Sequence, residues 1–408
     1  NAGDALTTGE SNVAIGHGAL SAEDTTGSTT AIGYKALNLQ NAAAESYNVA
    51  VGFEAGKAVT TGIKNTLIGN EAGVALTVGN YNTVLGYGAL NASVDGDYNT
   101  AIGFQALLAY EDGDGNGHNT AIGNQSQLNA STGEFNTSLG SLSMGAGVTT
   151  GDGNTVLGYS AGLAITSGAE NVFIGSNAGD ALTTGYFNVG IGHEALSTED
   201  GHGYNVAVGH HALRVQDAGV DAYNTVVGYA AGAAVTTGIR NTIIGGLAGD
   251  VLTTGSYNVA IGHAALSTED SYGKNTAVGY GALATLNAAE DGFNVAVGFD
   301  AGIQMTTGLK NTIIGGLAGD ALTTGADNVA IGKSALSTED TGSTSVAIGS
   351  FALTAQNYNG NSQNVAVGYA AGMGVTTGIN NTLVGGLAGD ALTEGADNVA
   401  IGHQALST

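Results

Sequence analysis

Three patterns in this chain carry residue types that chemistry requires. Gly158-Tyr159-Ser160-Ala161-Gly162 has the spacing of a nucleophile elbow, in which a strained strand-to-helix turn presents a serine hydroxyl to a substrate. Asp112, Asp114 and Asn116, followed by Gly117, have the spacing that opens a calcium loop, where oxygen ligands at alternate positions surround the ion. Acid pairs at Glu199-Asp200, Glu269-Asp270 and Glu339-Asp340, and single acids at Asp180, Asp250, Asp320 and Asp390, recur every 70 residues.

What must position these residues is a repeat. The phrase Asn-Thr/Val-x-Ile/Leu/Val-Gly occurs 23 times, first at residues 12–16 and last at 398–402, mostly 17 residues apart and otherwise 18, 19 or 20. The closing glycine is present in all 23 copies, and the opening Asn in 21, with Thr29 and Ser345 in the other two. Thr/Val-x-Ile/Val is a β-branched alternation and predicts a short strand. The glycine ends the strand with a turn that tolerates positive φ. After two variable residues comes Ala, except at Ser126 and Ser143, and then a loop such as Thr-Thr-Gly. Seventeen residues are too few for a helix pair and sufficient for one coil of a narrow solenoid. The reading is all-β: a parallel β-solenoid of about 23 coils of 17–20 residues, a single elongated domain over 1–408. Stacked at about 4.8 Å, the repeated Ile/Leu/Val become an apolar ladder. The repeated Asn become an amide ladder that satisfies turn backbone.

A longer period lies on top. Coils with Ala-Leu after the strand alternate in pairs with coils having Ala-Gly, where the bulky residue moves three positions on, as at Leu252 and Leu322. The coils ending at Gly123 and Gly140 break the scheme with Ser126-Gln127 and Ser143-Met144 and read as an irregular two-coil insertion near 107–144. The strand is apolar on both faces, with Val259 and Ile261 on one and Ala260 on the other; Leu67, Phe173, Ile243, Ile313 and Leu383 make the second face bulky. One face packs inside the coil and the other needs cover. In a chain with no second layer, that cover is another copy, most naturally as a homotrimer about a fibre axis.

Composition narrows the function. There is no Cys and no Pro, so disulfides, thiol catalysis and Cys-based zinc sites are excluded. A net charge of −26 with only eight Lys plus Arg disfavours nucleic acid and anionic membranes, and no stretch is apolar enough to span a bilayer. Both ends of the sequence cut through the repeat, so the chain reads as a segment of a longer fibre.

The repeat also sets the chemical patterns against plainer readings. Ser160 is replaced by Ala230 and Ala370 in equivalent coils, which makes it a ladder position and not a nucleophile. In the Asp112, Asp114, Asn116 loop the glutamate expected at the twelfth place is missing, with Gly123 standing there; calcium and a plain acidic loop both stay open. The recurring acids lie four rungs apart, too far for an acid–base pair, and read as solvated loops, with weak divalent-cation binding as the alternative. His17, His193, His263 and His403 follow the glycine where Tyr87, Tyr280 or Lys333 stand elsewhere, a surface or interface column; His210-His211 is the one adjacent pair. Tyr34, Phe53, Phe104, Tyr159, Tyr229, Tyr280, Phe299 and Tyr369 occupy that same place and read as packing, with sugar stacking as the other use. The Thr pairs at 60–61, 183–184 and 253–254 occur only in Ala-Gly coils, so an ice-binding array is interrupted.

Asn-Val-Ala-Ile-Gly followed by x-x-Ala resembles the head repeats of YadA-type trimeric autotransporter adhesins. Asn99-Thr-Ala-Ile-Gly-Phe-Gln-Ala-Leu107 is similar to the repeats of phage tail-fibre proteins. The resemblance implies a left-handed parallel β-roll, three subunits per fibre and an extracellular, cell-surface or virion-borne attachment role, although adhesin heads use shorter coils and no neck, stalk or anchor is present here. The expected function is a non-enzymatic fibre shaft that projects a binding tip toward a host or neighbouring cell-surface receptor. The alternative is a binding module whose loops, such as 38–47, 108–118, 214–223 and 354–363, attach to cell-surface glycan or protein.

Overall fold

The computed structural model describes residues 1–111, 113 and 116–407. Among them the only regular elements are 23 strands of three residues each, and no helix is long and apolar enough to cross a membrane. The chain forms two compact units, residues 1–204 with strands β1 (Val13–Ile15) to β11 (Val189–Ile191), and residues 205–408 with β12 (Val206–Val208) to β23 (Val399–Ile401). Within each unit every strand pairs in parallel with the next at zero offset. Thr242, Ile243 and Ile244 of β14 (Thr242–Ile244), for example, lie opposite Val259, Ala260 and Ile261 of β15 (Val259–Ile261). Each unit is therefore a parallel β-solenoid with one coil per strand, as the repeat predicts.

The invariant glycine has two independent reasons. It holds φ of +132° at Gly262 and +137° at Gly33, outside the range of L side chains. A Cβ at Gly262 would also stand 2.3 Å from the carbonyl oxygen of Gly279 on the next coil. Turn conformation and close stacking thus both demand glycine; only the first is visible in a single copy.

The asparagines form the expected ladder. Asn65 N–H donates to Asn48 Oδ1 at 2.8 Å, and Asn82 N–H donates to Asn65 Oδ1 at 2.9 Å. The Asn48 and Asn65 amides donate in turn to the carbonyls of Gly62 and Gly79 at 2.7 and 2.8 Å. These asparagines are fully buried, where an unmade hydrogen bond costs about 1–3 kcal/mol.

Thr29 and Ser345 break the ladder for a structural reason. In both places the next coil has 19 residues and sends a glutamine inward. Gln40 Nε2 donates to Glu23 Oε2 at 3.1 Å, Thr29 Oγ1 at 3.0 Å and Ser46 Oγ at 2.9 Å, and Asn48 Nδ2 donates to Gln40 Oε1 at 2.8 Å. Gln356 repeats this with Glu339, Ser345, Ser362 and Asn364. Gln216 enters its coil in the same way beside a buried Asn205, so the glutamine alone does not exclude asparagine; what accompanies Thr29 and Ser345 is Ser46 and Ser362, which bond to them, where the third coil has Ala222.

The core is set by the middle residue of each strand. Val84 is fully buried, whereas Leu85 beside it is 48% exposed. Ala is the usual inward residue; Leu67, Phe173, Ile243, Ile313 and Leu383 are the bulky ones, all buried. In the Ala-Gly coils Leu252 and Leu322 are buried too, so the bulky side chain does fill the core from its shifted position. In the irregular pair a polar core replaces the apolar one. Ser126 bonds with Ser138 and, at 3.1 Å, with Ser143, and Gln127 Nε2 donates to Ser138 Oγ at 3.0 Å. The strands there, β7 (Thr120–Ile122) and β8 (Thr137–Leu139), keep the common register.

Candidate interaction surfaces

Because the middle residue points inward, the first and third residues of every strand point out. Within each unit they make an outward face two columns wide. The first column is only Thr or Val and the third only Ile, Leu or Val, with no charge in any of the 23 coils. Leu139 and Leu157 are 45% and 44% exposed on it. Exposed aliphatic columns of this regularity are what a partner surface supplies cover for.

Two columns border that face along each coil, the residue after the glycine on one side and the residue before the asparagine on the other. The first contains the aromatics singled out in the sequence. They are not core: Tyr229 and Tyr369 are each 61% exposed. They stack on one another, His17 on Tyr34 at 5.7 Å, Tyr34 on Phe53 at 5.2 Å, His263 on Tyr280 at 5.5 Å and Tyr280 on Phe299 at 5.4 Å. His17, His193, His263 and His403 are exposed members of this column. His210 and His211 face each other at 3.8 Å.

The column before the asparagine has no counterpart in the sequence reading. All 23 of its residues lie at positive φ, yet only Gly153 is glycine. A side chain in the left-handed region costs roughly 1–2 kcal/mol. Tyr81, Tyr98, His118 and Phe135 form a continuous stack in it, at 4.8, 4.7 and 5.1 Å with planes within 9° of parallel. The signal that reveals the column in sequence is alignment of the coils on the asparagine, one residue upstream of the phrase itself.

Ser160 is nearly buried at φ +51° and precedes the buried ladder residue Ala161, so it is not itself a member of the Ala column. Its N–H donates to Ser141 O at 3.0 Å, and among the described residues its hydroxyl has no bond to a histidine. Of the calcium pattern, Asp112 and Asp114 lie outside the described residues. Asn116 bridges to Asp97, and its carbonyl accepts from the Tyr110 hydroxyl at 2.9 Å.

The glutamates of the acid pairs depart from the expectation of solvated loops, whereas Asp200 is exposed and Asp270 and Asp340 are half-buried. Glu199, Glu269 and Glu339 are fully buried and cap their own turns: Glu269 Oε1 accepts Tyr272 N–H at 3.1 Å and Glu339 Oε1 accepts Gly342 N–H at 2.7 Å. Glu23 does the same for Thr26. Burial pushes the Glu269 carboxyl above the usual range despite bonds from the Ala288, Tyr272 and Ser271 backbone. At Glu23 burial also pushes upward, but bonds from Thr26, Gln40 and the Ala42 backbone outweigh it and hold the carboxyl low. Two differences separate the sites: Tyr272 stands where the Thr26 side chain bonds Glu23, and Leu286 stands where Gln40 and Gln356 stand in equivalent coils. The Asp180, Asp250 and Asp320 carboxyls are raised by burial, and one oxygen of each is enclosed without a hydrogen-bond partner among the described residues.

No protein-family model matches this chain, and no curated protein matches it either.

Proposed function

We propose that this chain is a structural segment of a homotrimeric fibre, extracellular or virion-borne, in which subunits pack through their outward strand faces and hold a binding tip away from the particle or cell that bears it. The supporting observation is the uncharged aliphatic face, two columns wide, repeated on all 23 coils. Backbone ladders, buried Asn columns and that packing would make a stiff spacer; no step of it requires a reaction. Mass photometry of the purified chain tests the proposal. A species of three times 39.9 kDa is expected, and a monomer at micromolar concentration would sink it.

A second reading is attachment through the lateral loops. It draws on loops 38–47 and 354–363, which are anchored from beneath by Gln40 and Gln356 and so project from a fixed base. Replacing 354–363 with a Thr-Thr-Gly loop and measuring cell attachment separates the two readings: loss of attachment favours the loop, and unchanged attachment the shaft.

A further inference from the structure

The column before the asparagine carries more than stacking explains. On six successive coils it reads Tyr223, Arg240, Tyr257, Lys274, Phe293, Lys310, alternating ring and cation. With Lys64 this single position holds four of the eight Lys and Arg residues of a chain whose net charge is −26. All six side chains are exposed, and all six residues sit at positive φ, where glycine would be easier. The stack from Tyr81 to Phe135 shows that rings alone suffice for a ladder here, so the cations answer another need.

Their geometry says what they offer. The Arg240 guanidinium lies 5.5 Å from the Tyr257 ring centroid and its Nη1 donates to the Tyr257 hydroxyl at 2.7 Å; Lys274 Nζ lies 5.0 Å from the Phe293 centroid. These ring faces are covered by the neighbouring cation, so the stripe presents N–H donors and a phenol edge to solvent. Lys274 is paired with Asp291, whereas Arg240 and Lys310 make no ion pair among the described residues. Along the stripe the cations recur every second coil, about 9.6 Å apart at two strand spacings.

We infer that this stripe binds an extended acidic polysaccharide, with carboxylates on Arg240, Lys274 and Lys310 and sugar hydroxyls on the Tyr257 edge. A polymer with one carboxylated sugar in each disaccharide alternates charged and neutral rings, as the stripe alternates cation and ring. The rest of the surface repels polyanions, but that field is screened beyond about 8–10 Å in physiological salt, so it limits binding elsewhere more than at the stripe. Single-stranded nucleic acid, which needs a broad positive groove and free ring faces, fits less well. The inference gives the attachment reading a ligand class and does not depend on the number of subunits.

The test is binding of the intact chain to hyaluronan at physiological ionic strength, with dextran as the neutral control. Arg240→Gln/Lys274→Gln/Lys310→Gln should weaken hyaluronan binding by about tenfold, from three exposed charge pairs. Lys35→Gln/Lys57→Gln/Lys333→Gln, the same change of charge off the stripe, should stay within about twofold. Lys310→Glu alone, at an exposed position with no ion pair, should also weaken binding and guards against misfolding of the triple variant. The inference is overturned if the wild type does not bind hyaluronan, if both triples lose binding equally, or if single-stranded DNA binds as tightly. Solution mass, measured on the same samples, reports separately on the trimer.

Discussion

At the scale of single residues, the chain solves one problem in two ways. In the 19-residue coils the place that follows a buried glutamate holds either a glutamine, as Gln40, which donates to Glu23, Thr29 and Ser46, or a leucine, as Leu286 in the coil after Glu269, where Asn275 and Gly292 stand for Thr29 and Ser46. A Cβ at Gly292 would stand 2.2 Å from Asn275 Oδ1, so a side chain at 292 requires the one at 275 to move or change with it. Transplanting Asn275→Thr/Leu286→Gln/Gly292→Ser should rebuild around Glu269 the set that Gln40 makes with Glu23, Thr29 and Ser46. A carboxyl raised in the folded state contributes stability below its unfolded pKa, and that contribution is lost as pH rises through the folded value; Glu269 is of this kind. Glu23, held low, has the opposite sign: its contribution is present above the unfolded pKa and lost as pH falls through the folded one. The triple variant should therefore gain about 1–3 kcal/mol near pH 7 and lose that gain on acidification. Denaturant melts at both pH values, with a carbon-13 titration of the Glu269 carboxyl, check it; a pH-independent difference would count against the assignment. The exceptions at 29 and 345 were legible as exceptions, but their cause was not. They belong to a set with a glutamine 11 residues and a serine 17 residues downstream, which reach them only once the coils are stacked.

At the scale of the coil, volume is balanced between neighbours. Phe173 fills the core from β10 (Val172–Ile174), and the residue opposite it in β11 is Gly190, where most coils have Ala. A Cβ at Gly190 would lie 2.8 Å from Phe173 Cδ1. Gly190→Ala should accordingly destabilise residues 1–204 by about 1–3 kcal/mol through overpacking, though Ala is ordinary elsewhere in that column. Adding Phe173→Leu should restore part of the loss, giving a coupling of at least about 0.5 kcal/mol in a double-mutant cycle. Additive effects would show that the two side chains do not share the space. Strand, turn and stacking were readable here because each is dictated within one coil and repeated 23 times. The buried state of Glu199, Glu269 and Glu339 was not, because acid pairs in a loop look the same whether they cap a turn or face water. The aromatic and cationic column was missed because it lies one residue outside the repeated phrase.

At the scale of the whole molecule, the outward aliphatic face is the surface that the proposed trimer would cover. Its cover must act on residues 1–204 and on 205–408 alike if the chain is one length of shaft, because both units carry the same two columns. A lysine in either unit then places a charge in an apolar interface, where burial without a partner costs several kcal/mol. Ile68→Lys and Ile261→Lys occupy equivalent third positions of β4 (Thr66–Ile68) and β15, and both side chains point away from the core of their own coil. Each should leave the fold of the monomer intact by far-ultraviolet circular dichroism and shift the assembly toward monomer in sedimentation velocity. The melting temperature of the wild type should also rise with protein concentration, and that of either variant should not, since association stabilises only what associates. If Ile68→Lys dissociates the assembly and Ile261→Lys does not, or the reverse, the face is an interface over one unit only and the shaft proposal fails for the other.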